Sequence, residues 1–171
     1  LIVLGFGLLI GLHELGHFIA AKWSGIRTNA FAIGMGPVVL AWRGGIGLTV
    51  GSTKKKTISR FGKDASEMSD AELETCGLSE TEYSLRLLPI GGFVSMLGQE
   101  DDKPGAVSVD PRSYNKCPIG KRMIVVSAGV VMNLLLAAVL FIGCFQAGVR
   151  FEAPVIGQII PNSPAAEAVA A

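Results

Sequence analysis

His13, Glu14 and His17 form a His-Glu-x-x-His motif. On a helix, positions i and i+4 project from one face, so both imidazoles can reach one Zn²⁺ at about 2.0–2.1 Å. The carboxylate after the first His then stands where a general base is needed for a metal-activated water. The element carrying these residues is unusually apolar. Leu1 to Ala21 reads LIVLGFGLLIGLHELGHFIAA, and the motif supplies its only ionisable side chains. A charged group near the centre of a membrane span costs at least about 2.5–3.5 kcal/mol. A dication offsets that cost by binding the neutral imidazoles and balancing the carboxylate. Two histidines packed between helices are the alternative, and they leave Glu14 without a counterpart.

The whole chain is apolar too. Of its 171 residues 50% are hydrophobic and 17% charged, with a mean hydropathy of +0.49. Globular domains carry about 25% charged residues. The net charge of +1 points to no polyanion, so nucleic acid is not an expected partner. Cys76, Cys117 and Cys144 are widely spaced and form no Cys-x-x-Cys pair, which speaks against thiolate zinc sites and a disulfide framework. The chain starts at Leu1 without a Met and stops at Ala171 in mid-pattern, and it reads as a fragment truncated at both ends.

A second apolar run, Met123 to Val149, has no charged residue and exceeds the roughly 20 residues that cross a bilayer core. Both runs are expected to be transmembrane helices. Fourteen of the fifteen Lys and Arg residues lie between Lys22 and Arg122. Those near the spans (Lys22, Arg27, Lys116, Lys121 and Arg122) predict a cytoplasmic loop between them, with the later segment on the other side. Within that loop, Phe31 to Trp42 and Tyr83 to Gly98 are apolar and broken by Gly and Pro. They suit strand pairs, either in a small cytoplasmic sheet or in a loop dipping towards the motif. Gly44 to Glu82 is polar. Ser69 with Glu72, and Ser79 with Glu82, have capping-box spacing and predict short helical turns. Lys54-Lys55-Lys56 is read as a solvated run.

HELGHF at His13, FAIGMGP at Phe31, YSLRLLPIGGFVSMLGQED at Tyr83, SAGVVMN at Ser127 and VIGQIIPNSPAAEA at Val155 occur in that order. Together they resemble the site-2 protease family of intramembrane zinc metalloproteases, most closely its bacterial type that clears membrane-anchored anti-sigma factors. The resemblance implies Zn²⁺ as cofactor, His13 and His17 as ligands and Glu14 as catalytic base. It implies substrate contacts at Gly91 and Gly92, in a membrane-associated β-loop, and at Asn133. It also implies a PDZ domain opening near Val155.

The expected fold is an α-helical integral membrane protein. Its first transmembrane helix covers 1–25, and a cytoplasmic segment with a membrane-associated β-hairpin and a polar insertion (about 44–82) covers 26–121. A second transmembrane helix covers 122–149, and the start of a PDZ domain covers 150–171. The expected function is endopeptidase cleavage in or near transmembrane segments of single-span substrates, in the inner (plasma) membrane. The lipid bilayer and a peptide ligand of the PDZ domain are further expected partners. Three departures from the family stand out. Val130 replaces the Pro of Ala-Gly-Pro, residues 44–82 exceed a simple hairpin, and no Leu-Asp-Gly motif supplies the third ligand. That ligand is expected beyond Ala171, so residues 1–171 alone are expected to bind zinc weakly and be inactive. A catalytically inactive scaffold binding peptides through its PDZ domain is the competing reading.

Overall fold

The computed structural model describes residues 2–99 and 110–148. The chain divides into two compact units, 1–138 and 139–171. In the second unit, the described residues are the end of a helix on which the rings of Phe141 and Phe145, one turn apart, stack at 4.4 Å.

Helix α1 (Ile2–Trp23) carries the motif in its C-terminal half. It closes with paired bonds, Ile26 N–H to the Ala21 carbonyl (2.9 Å) and Gly25 N–H to that of Lys22 (3.1 Å). That pattern satisfies the last carbonyls and reverses the chain. Ala20 and Ala21 then pack with Ile26, Met96, Cys117 and Val125 in a small core.

Strands β1 (Thr28–Arg43), β2 (Gly47–Val50) and β3 (Glu82–Met96) form one sheet in the order β2-β1-β3, with antiparallel neighbours. The two long strands meet more than once. Ala30 to Ile33 pairs with Gly92 to Ser95 and also with Glu82 to Leu85, while Leu40 to Trp42 pairs with Tyr83 to Leu85. This is possible because β1 bends near Gly34 and Gly36, and β3 bends near Gly91. Tyr83 is thereby flanked by Phe31, at 6.3 Å between ring centroids, and by Trp42, at 5.7 Å. Cross-strand aromatic pairs of this kind stabilise a sheet by about 0.2–1 kcal/mol each. Phe18, one residue after the motif, joins the cluster at 5.2 Å from Phe31 and 5.8 Å from Tyr83. These contacts dock the sheet on α1 beside the motif.

The polar stretch folds into helices α2 (Lys54–Phe61) and α3 (Asp70–Cys76) around Ala65, Met68, Leu73 and Leu78. Ser69 and Glu72 make the expected capping box. Ser79 and Glu82 do not: Glu82 opens β3, and its carboxylate accepts from the backbone N–H and hydroxyl of Thr53 at the start of α2. Arg27, 1% exposed, donates to the carbonyls of Met68 (2.6 Å) and Ala65 (2.9 Å) and fastens these helices to the end of α1.

Helix α4 (Ile119–Ala147) follows a short 3₁₀ turn at Tyr114–Lys116. It is the one helix among the described residues that is long and apolar enough to cross a membrane. Only 11% of its most apolar stretch is buried, unlike the core helix of a soluble domain. The expectation of two transmembrane helices is therefore corrected. Helix α1 has four polar or charged side chains, His13, Glu14, His17 and Lys22, in a half that is packed against other elements. Among the described residues the architecture is four α-helices and a three-stranded antiparallel sheet with a single candidate span, not two transmembrane helices joined by a hairpin loop. The expected PDZ segment at 150–171 lies outside the described residues.

Candidate metal centre

His13 and His17 stand one turn apart on α1, and their ring planes are nearly perpendicular (82°). Their Nε2 atoms face each other at 3.1 Å. Two nitrogens on a tetrahedral zinc at the usual bond length lie about 3.3 Å apart. The pair therefore sits close to the spacing that such an ion requires. His17 is further fixed through its second nitrogen, Nδ1, which lies 2.7 Å from the Val125 carbonyl on α4. A carbonyl only accepts, so Nδ1 carries the proton and Nε2 presents its lone pair.

Helix α4 approaches this closely because its contact residues are small. A Cβ on Gly129 would lie 2.5 Å from His17 Nε2 and 2.6 Å from His13 Nε2, so the imidazoles rest against bare backbone. Across the interface, a Cβ on Gly16 would lie 2.5 Å from the Ala128 carbonyl oxygen. Close helix approach through small residues is the usual packing mode in lipid.

Glu14 points to the sheet side. A Cβ on Gly92 would come 3.2 Å from Glu14 Cγ and 2.7 Å from the Ala32 carbonyl oxygen, so the bend of β3 leaves space for the carboxylate. Glu14 and His17 together line a cavity of about 250 Å³, closed by Val94, Met96, Gln99, Tyr114, Val125 and Val126. It offers a water a site between a carboxylate and an imidazole, with the polar Gln99 and Tyr114 among the apolar side chains around it. The motif residues are half-buried, as a site open to small molecules requires.

The sequence-derived candidates thus converge. Gly92 is beside Glu14, and Gly91 occupies the adjoining bend, packed against Met35. Asn133, one turn beyond Gly129, has its side-chain amide 3.2 Å from His13 Nδ1. Sequence reasoning missed two participants. Gly129 lies within the SAGVVMN segment, but nothing in its identity says that imidazoles cover it. The Val125 carbonyl is a backbone group and leaves no trace in sequence. No cluster of three or more His, Cys, Asp or Glu side chains placed to hold a metal occurs among the described residues. The two histidines fit zinc as a partial ligand set.

The model of Peptidase family M50 matches residues 1–49 and 68–168, which cover the motif helix, the two long strands and α4. The chain belongs to this family of metallopeptidases. Residues 50–67, which hold α2, fall between the two matched stretches. A protein of Clostridium acetobutylicum, named provisionally as a zinc metalloprotease, is 39% identical over 95% of this chain and 36% of its own length. A Clostridium perfringens protein with the same kind of name is 41% identical over 96% of this chain and 37% of its own length. The regulator of sigma E protease of Salmonella typhimurium is 32% identical over 97% of this chain and 29% of its own length. The chain spans roughly a third of the length of the curated relatives it matches.

Proposed function

We propose that this chain carries the catalytic half-site of a zinc-dependent endopeptidase that cleaves membrane proteins in or near their transmembrane segments. The observation that carries the reading is the facing Nε2 pair of His13 and His17 at 3.1 Å, with His17 oriented by the Val125 carbonyl. His13 and His17 would hold the ion, and residues outside those described would complete its coordination. When bound, zinc supplies a Lewis acid that acidifies a water and polarises the scissile carbonyl. Glu14 takes the proton of the attacking water and passes it to the departing amine. Val94, Met96, Val125 and Val126 give the cavity beside Glu14 and His17 its apolar walls.

The bent β3 beside Glu14 presents substrate. Peptide bonds in a helix are hydrogen-bonded internally, so a scissile segment must be extended, and strand addition to a sheet supplies that form. Gly92 stands beside Glu14 and Gly91 adjoins it in the bend, and both are the expected substrate contacts. The relative named as a regulator of sigma E protease supports a protease role in regulation. The long apolar α4 supports a location in the plasma membrane, and the basic Lys116, Lys121 and Arg122 near its start support a cytoplasmic side for that end and for residues 26–121.

The test is the zinc content of the purified full-length protein. Wild type is expected to retain one zinc, and His13→Ala and His17→Ala are each expected to lose it. Retention of zinc by both variants overturns the assignment.

A further inference from the structure

His13 lacks the backbone carbonyl that orients His17. The side chain on its Nδ1 belongs to Asn133, whose Nδ2 lies 3.2 Å away. The Asn133 Oδ1 is buried and has no hydrogen-bond partner. A carboxamide presents its oxygen or its nitrogen to the same neighbour by a half-turn about Cβ–Cγ, and the two orientations have opposite hydrogen-bond character.

The chemistry of the pair decides which orientation a metal needs. With Nδ2 on Nδ1, the amide donates, so Nδ1 is a lone pair and the His13 proton sits on Nε2. That proton then points at the lone pair of His17 Nε2, 3.1 Å away, where an ion would have to lie. With Oδ1 on Nδ1, the amide accepts. The proton is held on Nδ1, and His13 Nε2 becomes a free donor atom matching that of His17. The imidazole is neutral in both arrangements; its proton leaves Nε2 for solvent as Nδ1 gains one, so no net charge is created.

We propose that Asn133 is a positioning residue for the metal: its Oδ1 accepts the Nδ1–H of His13 and holds that ring in the ligating tautomer. The proposal rests on the zinc assignment to His13 and His17. It assigns Asn133 a role toward the ligand His13, whereas the family resemblance implied contact with substrate. Metal-ligating histidines commonly depend on such a partner, and its loss weakens metal binding by about 10–100-fold.

The experiment uses full-length protein in detergent, with zinc affinity measured by chelator competition and the site reported by the visible bands of a Co²⁺-substituted sample. Asn133→Leu removes the acceptor and is expected to weaken zinc binding by about 10–100-fold and to alter the Co²⁺ bands. Asn133→Asp has only acceptor oxygens and is expected to restore affinity to within about threefold of wild type, inside the loss that removal of the partner causes. Equal weakening in both variants, or wild-type affinity in both, overturns the proposal. Should Asn133→Leu fail to fold, the Asp variant and ¹⁵N NMR of His13 in the zinc-loaded wild type decide: a proton on Nδ1 supports the role, and a proton on Nε2 refutes it. Zinc binding that is insensitive to His13→Ala would instead remove the underlying zinc assignment, a result distinguishable from either outcome.

Discussion

Gly129 of α4 lies against the metal-facing edge of His17, so closely that a Cβ added there would fall 2.5 Å from Nε2. The helix backbone itself forms one wall of the histidine pair. Position 129 therefore tolerates no side chain without moving an imidazole.

Gly129→Ala is expected to leave α4 intact, because Ala favours helix over Gly by about 1 kcal/mol. The added methyl would instead push the His13 and His17 rings apart. Zinc affinity should fall at least about tenfold, as for loss of a ligand-orienting contact, with helical content unchanged. Chelator competition with circular dichroism checks both halves of this prediction.

Gly92 makes the equivalent approach to Glu14. Gly92→Val would drive side-chain atoms into the Ala32 carbonyl and the Glu14 methylenes, bending β3 away from the carboxylate. The expected outcome is a fall in kcat of about 10²-fold, as for a catalytic group misplaced by about 1 Å, while zinc content stays at the wild-type level. Single-turnover cleavage with parallel metal analysis measures the two.

The buried guanidinium of Arg27 joins the α2–α3 segment to the end of α1. Arg27→Met would leave the Met68 and Ala65 carbonyls unpaired, at about 1–3 kcal/mol each. The segment should loosen locally, and limited proteolysis between 62 and 69 should accelerate while the motif helix stays protected.

Glu72 accepts the backbone N–H of Ser69 in the capping box and pairs with Lys63, and its pKa is lowered to about 2. An ordinary Glu in an unfolded chain titrates at about 4.3. Its folded pKa is depressed, so its contribution is present above the unfolded value and is lost as pH falls from there through about 2. Carboxyl ¹³C NMR should show Glu72 titrating well below the ordinary glutamate value of about 4.3, and Ser69→Ala should move its midpoint upward.

The motif helix and the two long strands were legible because His-Glu-x-x-His has a fixed helical meaning and the Gly-broken apolar stretches exclude long helices. The double pairing of β1 with β3 was not legible. It depends on bends that let Tyr83 sit between Phe31 and Trp42, residues far apart in sequence. Helix α2 was hidden for a similar reason. Its lysine triplet has no apolar periodicity, its one buried residue is Thr57, and Thr53 at its start is held by Glu82, 29 positions away. The same Glu82 was read as half of a capping box with Ser79, a local partnership that the distant one displaced. Composition alone marks the first apolar run as a span, because it does not reveal that the C-terminal half is packed.

In the proposed mechanism Glu14 works on a water beside zinc held by His13 and His17. Its most direct test is Glu14→Gln in the full-length protein, assayed for cleavage of a single-span membrane substrate and for zinc content. Cleavage is expected to fall by at least about 10²–10⁴-fold with zinc retained. Cleavage at the wild-type rate by the zinc-loaded variant would contradict that mechanism.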